Sequence, residues 1–245
     1  MSPAEIRGKT FIENINNKNL SGVLNKIKKD DRNVFISDEN LSGHTADIFH
    51  EDRLYENITR RLKFLKICFD KNDDIEIRIF IRNMATFLPS IYCEALLWTK
   101  FRPFSSVYQN NFYQSWIPVI KDLKDFWPEA KITIAKYEEY QNVVTAMMEP
   151  LVLSEDYKTS KIYQRIRERP SQRTISSYMS IMSKIPQQLH PVLLKFPLLK
   201  TLKKINRLHS DSFQPFNLST IETLDKIYIN DWKVIRNTSG ILTHE

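Results

Sequence analysis

Residues 75–95 restrict the fold more than any other stretch of the chain. Ile75-Glu76-Ile77-Arg78-Ile79-Phe80-Ile81 is rich in β-branched residues and alternates apolar with polar, the pattern of a strand. Arg82-Asn83 interrupts it, and Met84 to Ala95 then reads as an apolar helix carrying Ser90 and Tyr92. A strand that turns directly into a helix is half of a βαβ unit. In a parallel sheet the groups at the carboxyl ends of strands face the ligand crevice. An arginine there, with a hydroxyl eight residues on at the start of the next helix, suits a phosphate. The guanidinium offers a charged fork, and the helix start offers a hydroxyl and the positive end of a dipole.

The surrounding chain extends this pattern. Asn33 to Ser37 is a short apolar run stopped by Asp38-Glu39-Asn40, and we expect a buried strand. Leu54, Ile58, Leu62, Leu65 and Phe69 recur at helical spacing and belong to one buried face. A second helix is expected over Ala85–Lys100, with Thr86 as its cap and Pro89 in its first turn. Ser105 to Phe126 is aromatic and mostly helical. Lys131 to Ala135 alternates as a third strand ending in Tyr137-Glu138, and Glu139 to Glu149 is helical. Strands alternating with helices give an α/β fold: a mainly parallel sheet with flanking helices. Right-handed crossovers would bring Asp38, Arg82 and Glu138 to one edge of it. After Pro150 no strand is expected. That portion reads as helical, ending in an amphipathic helix over Ser219–Asn237. The expected division is an α/β core over 1–150 and a basic helical portion over 151–245.

At 245 residues the chain can bury a substantial core. Four glycines are too few for glycine-rich loops or collagen-like repeats. Cys68 and Cys93 lie in apolar helical contexts and are expected as reduced core thiols. The N-terminus has no apolar core of a secretory signal, and no apolar run nears the ~20 residues of a membrane span. A cytoplasmic protein is expected. The net charge of +7 is uneven: Leu151–Arg207 holds twelve Lys and Arg against Glu155, Asp156 and Glu168, a balance of +9, leaving −2 elsewhere. Arg165, Arg167, Arg169 and Arg173, then Lys195, Lys200, Lys203, Lys204 and Arg207, could meet a nucleotide, an acidic glycan or an anionic membrane surface. They could equally form a solvated helical face. Nucleic acid ranks last among these partners, because no recognised motif for it is present.

Arg82-Asn83, six further residues, then Ser90-Ile91-Tyr92 resembles the second signature of the P-loop sulfotransferases. Val34 to Asn40 resembles the strand-end Ser-Asp or Ser-Glu stretch of bacterial members, and Ile132 to Tyr140 their later strand with its Tyr-Glu ending. The likeness covers roughly residues 33–140. It implies a nucleotide-binding P-loop-type fold. It also implies transfer of a sulfuryl group from 3′-phosphoadenylyl sulfate to a hydroxyl of a glycan or small acceptor, with no metal. By that resemblance Arg82 and Ser90 hold the donor's 3′-phosphate. Glu39 or Asp38, with Glu39 preferred, stands where a general base would meet the acceptor. A turn role for these acids is the alternative, and His44 or His50 could serve as base instead. Neither histidine has the i, i+4 partner of a helical metal pair.

The chain departs from that family at its start. Arg7-Gly8-Lys9-Thr10 mimics only the last residues of the family's phosphosulfate loop, has no apolar strand before it, and is rejected as that loop. The chain is therefore expected to lack an N-terminal portion or to be a degenerate relative. Two rival functions follow: an inactive relative that binds or scaffolds, and a peripheral protein that binds anionic surfaces through residues 151–207. The aromatic stretch from Phe101 to Trp127 is expected as core rather than as a sugar-stacking platform.

Overall fold

The computed structural model describes residues 36, 41–43, 48, 53–67, 69, 73–98, 101–108, 115–148, 170–186, 192–206 and 211–244. The expected strand at 33–37, with Asp38 and Glu39, lies outside them, as do Arg7–Thr10, His44, His50 and Cys68. The described elements make an α/β protein with a small parallel sheet. The chain forms two compact units. One comprises the described residues within Met1–Ile81, Trp116–Lys158 and Val234–Glu245, the other those within Arg82–Ser115 and Thr159–Lys233.

The first unit is built on strands β1 (Glu76–Ile81), β2 (Lys131–Lys136) and β3 (Ile241–His244), hydrogen-bonded in that order. Both pairs are parallel. Glu76 lies opposite Lys131 and Ile81 opposite Lys136, so β1 and β2 end level; Ile132 to Ala135 lie opposite Ile241 to His244. β2 is central, and Ile132, Thr133, Ile134 and Ala135 are all buried, as a strand covered on both faces requires. β3 corrects the expectation that no strand follows Pro150. Gly240, at φ +77°, turns the chain into it through a backbone conformation that a side chain would strain.

Helix α1 (Ile58–Lys66) buries Ile58, Leu62 and Leu65, with Leu54 ahead of it, which is the face its spacing predicts. It packs against a later helix of the unit, Ile117–Phe126. Lys66 ties the two together. Its ammonium donates to the Phe126 carbonyl at 2.9 Å, lies 3.1 Å from Glu129, and sits 5.2 Å over the Phe126 ring and 5.4 Å over Trp127. A cation on the last carbonyl of a helix also meets the negative end of its dipole. After β2 a single 3₁₀ turn (Tyr137–Glu139) precedes a helix over Tyr140–Met148, slightly later than the start expected at Glu139. That helix covers Ala135 with Val143 and Met147, and Phe80 of β1 packs on the same cluster.

A charged network runs across the strands' amino-terminal end. Arg78 reaches Glu76 at 2.7 Å and also donates to the Met147 carbonyl, while Thr133 Oγ1 donates to the other Glu76 oxygen at 2.8 Å. The hydrogen bond from Arg78, opposed by desolvation and aided by Thr133, holds the Glu76 carboxyl below its ordinary 4.5. A carboxyl lowered in the fold adds stability that is complete above the unfolded value and is lost as pH falls through the native one. Thermal melts should therefore show an acid limb beginning below about pH 4.5. Glu76→Gln should flatten that limb with little change at neutral pH, because Glu76 is exposed and its pairing is screened.

The second unit holds helix α2 (Met84–Trp98), a short turn of helix at Phe104–Val107, and helices α6 (Gln172–Met182), α7 (Val192–Ile205) and most of α8 (Leu218–Arg236); in chain order the elements at 104–107, 117–126 and 140–148 are α3, α4 and α5. α2 is its core helix: Met84, Ala85, Leu88, Ile91, Tyr92, Cys93, Ala95, Leu96 and Leu97 are buried. Cys93 is a buried free thiol. Tyr92, Phe104, Tyr108, Phe213 and Phe216 pack ring on ring at 4.9–6.2 Å between centroids. Phe101 and Phe104 are thus core here, and Trp116 and Trp127 are core in the first unit. Ser171 caps α6, accepting from the Thr174 amide at 3.2 Å, and Asn217 caps α8, accepting from Thr220 at 2.8 Å. Buried Asp231 accepts from the Ser115 hydroxyl at 2.9 Å.

Candidate anion-binding site

The start of α2 carries the candidate site. Asn83 is its cap: the side-chain oxygen accepts from the Ala85 amide at 2.9 Å, and the carbonyl accepts from Phe87 at 2.8 Å and Thr86 at 3.0 Å. This corrects the expected cap at Thr86 and moves the helix start to Met84. An asparagine directly before an apolar helical run was the signal for that cap. The Asn83 amide nitrogen donates to Asp225 at 2.7 Å, which fixes the side chain in its capping rotamer.

Thr86 has a different job. Its hydroxyl donates to the Asn83 carbonyl at 3.0 Å and accepts from Arg82 Nε at 3.1 Å. The guanidinium is therefore held against the first turn of the helix by its Nε edge. Thr86, Phe87, Ser90 and Glu94 are half-buried on a helix whose other described side chains from Met84 to Leu97 are buried. They form one stripe, because residues four apart on a helix share a face. Ser90 is the seventh residue of α2, one turn of about 5.4 Å beyond Thr86. It does not lie in the first turn, as the sequence suggested; Thr86 does. The structure thus brings Arg82 and Thr86 into contact and puts Ser90 next in the same row. Thr86 as the arginine's partner was missed, although its position four residues after Arg82 was the available sign.

Tyr92, inside the same signature, faces inward. Its phenol donates to the Arg102 carbonyl at 2.7 Å, and burial, with smaller effects of Cys93 and Tyr178, raises its pKa far above the ordinary phenol value. It is a packing residue that cannot exchange a proton near neutral pH. Glu39, the expected base, lies outside the described residues, as does the alternative Asp38. Glu138 is exposed just past the carboxyl end of β2. Among the described residues no three His, Cys, Asp or Glu side chains gather as a metal-ligating group, and no helix is long and apolar enough to cross a membrane.

The row can do one thing well. A guanidinium anchored by Thr86 at the positive end of a helix dipole, with the Ser90 hydroxyl one turn on, offers donors of the kind an oxyanion takes. No family model, no curated protein and no solved structure matches this chain.

Proposed function

We propose that Arg82 and Ser90, with Thr86 anchoring the arginine, hold the terminal phosphate of a nucleotide donor, 3′-phosphoadenylyl sulfate. The protein on this reading is a sulfotransferase-like enzyme with a P-loop-type fold. It acts on a hydroxyl of a glycan or small acceptor. The observation that carries the reading is the Arg82 Nε–Thr86 hydroxyl contact at the N-terminus of α2, directly after a parallel strand. In the reaction the acceptor oxygen attacks the donor's sulfur, the bond from sulfur to the bridging phosphate oxygen breaks, and 3′-phosphoadenosine 5′-phosphate leaves. A base removes the acceptor's proton, the role expected of Glu39 from its place after the apolar run at 33–37. The rate gain would come from positioning and from charge placed ahead of the reaction.

Titration calorimetry with 3′-phosphoadenosine 5′-phosphate tests this. Arg82→Ala should weaken binding by about tenfold to a hundredfold, the worth of charge-assisted bonds to a phosphate. Thr86→Ala should lose less, because the arginine keeps its charge while losing its anchor. No heat with the wild-type chain at millimolar nucleotide rejects the reading. Nucleotide binding without sulfuryl transfer assigns the chain to the binding-only alternative.

A further inference from the structure

The second unit carries a surface that the phosphate site does not use. From Arg169 to Ser210 the sequence has eight Lys and Arg and no Asp or Glu. Arg165, Arg167, Arg169 and Arg207, and the side chain of Lys195, lie outside what the structure describes. The rest are on or beside α6 and α7, which pack together. On α7, Leu199, Leu202 and Asn206 are buried, which defines its inner side. Lys200 and Lys204, four residues apart, form one outward line, with Lys203 exposed at its flank. Beside them Ile205 is 70% exposed. On α6, Thr174, Ile175, Tyr178 and Met182 face inward, while Arg173 and Ser180 are exposed, as are Ile181 and, just past the helix, Lys184.

We infer that the outer face of α6 and α7 docks onto an anionic lipid bilayer. From residue 169 to residue 210 the charge is of one sign, and the exposed large apolar side chains described there, Ile181 and Ile205, are aliphatic. Lysines contribute near an anionic leaflet as compact point charges, and an exposed isoleucine beside them can enter the headgroup boundary. A surface for single-stranded nucleic acid would want aromatic faces for stacking, yet among the described side chains of this unit no aromatic ring is exposed, and Tyr92, Phe104, Tyr178 and Phe213 are buried.

Co-sedimentation of the full chain with vesicles tests the inference. The chain should pellet with phosphatidylcholine–phosphatidylserine vesicles, not with phosphatidylcholine alone, and release as salt rises. Lys200→Ala/Lys204→Ala should cut partitioning about twenty-five-fold, roughly fivefold per lysine. Ile205→Ser should cut it at low and high salt alike, the mark of an apolar contribution. All three side chains are exposed, so the variants should melt as the parent does. Equal binding to both vesicle types, unchanged binding by the lysine pair variant, or duplex DNA binding without vesicle binding overturns the inference.

Discussion

Replacing Tyr178 by alanine should lower the free energy of unfolding by about 3–5 kcal/mol, the range for truncating a fully buried aromatic ring. Tyr178 is 0% exposed. Its ring meets Phe101 edge-on at 6.4 Å, and its hydroxyl donates to the Leu96 carbonyl at 3.4 Å. Alanine removes the transfer energy of the ring and leaves a cavity between α6 and α2 that neighbours fill only in part. Tyr178→Phe separates these contributions. It keeps the ring and loses one long hydrogen bond, so it should cost under about 1 kcal/mol by urea denaturation. The phenol gives a second readout. Burial pushes its pKa from the ordinary 10.0 up to about 12. A group whose native pKa is raised supplies stability present below the unfolded value and lost as pH climbs through the native one. Wild-type stability should thus decline between about pH 10 and about pH 12, and Tyr178→Phe should make that decline shallower. An alanine variant as stable as the parent would mean that α6 does not pack on the core helix.

What the sequence discloses follows from how local each signal is. β1 and β2 are legible because six residues of alternating or continuous β-branched character suit little else. Helix α8 is legible because nineteen residues repeat one apolar face over five turns. β3 is not, since Ile241–His244 has only four residues and becomes a strand by pairing with β2, a contact more than a hundred positions away in the chain. The aromatic stretch is legible as core but not as two elements: Phe104–Val107 and Ile117–Phe126 are separate helices, the second opened by Pro118, which has no N–H to waste at a helix start. At the site, Arg82 stands out as a charge after an apolar strand. The register of its partner does not, because a shift of the helix start from Ala85 to Met84, set by the Asn83 cap, decides which hydroxyl lies in the first turn. On α7 the charge of Lys200 and Lys204 is visible in the sequence. Their outward direction is known only once Leu199 and Leu202 are seen to be buried.

Gln214→Met should cost about 1–3 kcal/mol, and most of that cost should vanish when Pro89 is replaced by alanine. The earlier helix start makes Pro89 the sixth residue of α2 rather than a first-turn residue. Proline has no N–H, so at this position it withholds the helical partner of the Ala85 carbonyl four residues before it. The fold supplies another: Gln214 Nε2 donates to that carbonyl at 3.1 Å. The glutamine is itself held, its own amide donating to Gln172 Oε1 at 2.9 Å and its side-chain oxygen accepting from Phe216 at 3.3 Å. Methionine at 214 keeps the length of the side chain and removes the donor, leaving a carbonyl of buried Ala85 without its bond. In a Pro89→Ala background the new amide can complete the ladder, and the loss of the glutamine donor then matters little. A double-mutant cycle by urea denaturation should give a coupling of about 1 kcal/mol or more between sites 125 positions apart in sequence. Additive effects would show that water, rather than Gln214, serves the Ala85 carbonyl. The segment before α8 would then have no part in keeping α2 helical through its proline, nor in holding the Arg82–Thr86–Ser90 row that α2 presents.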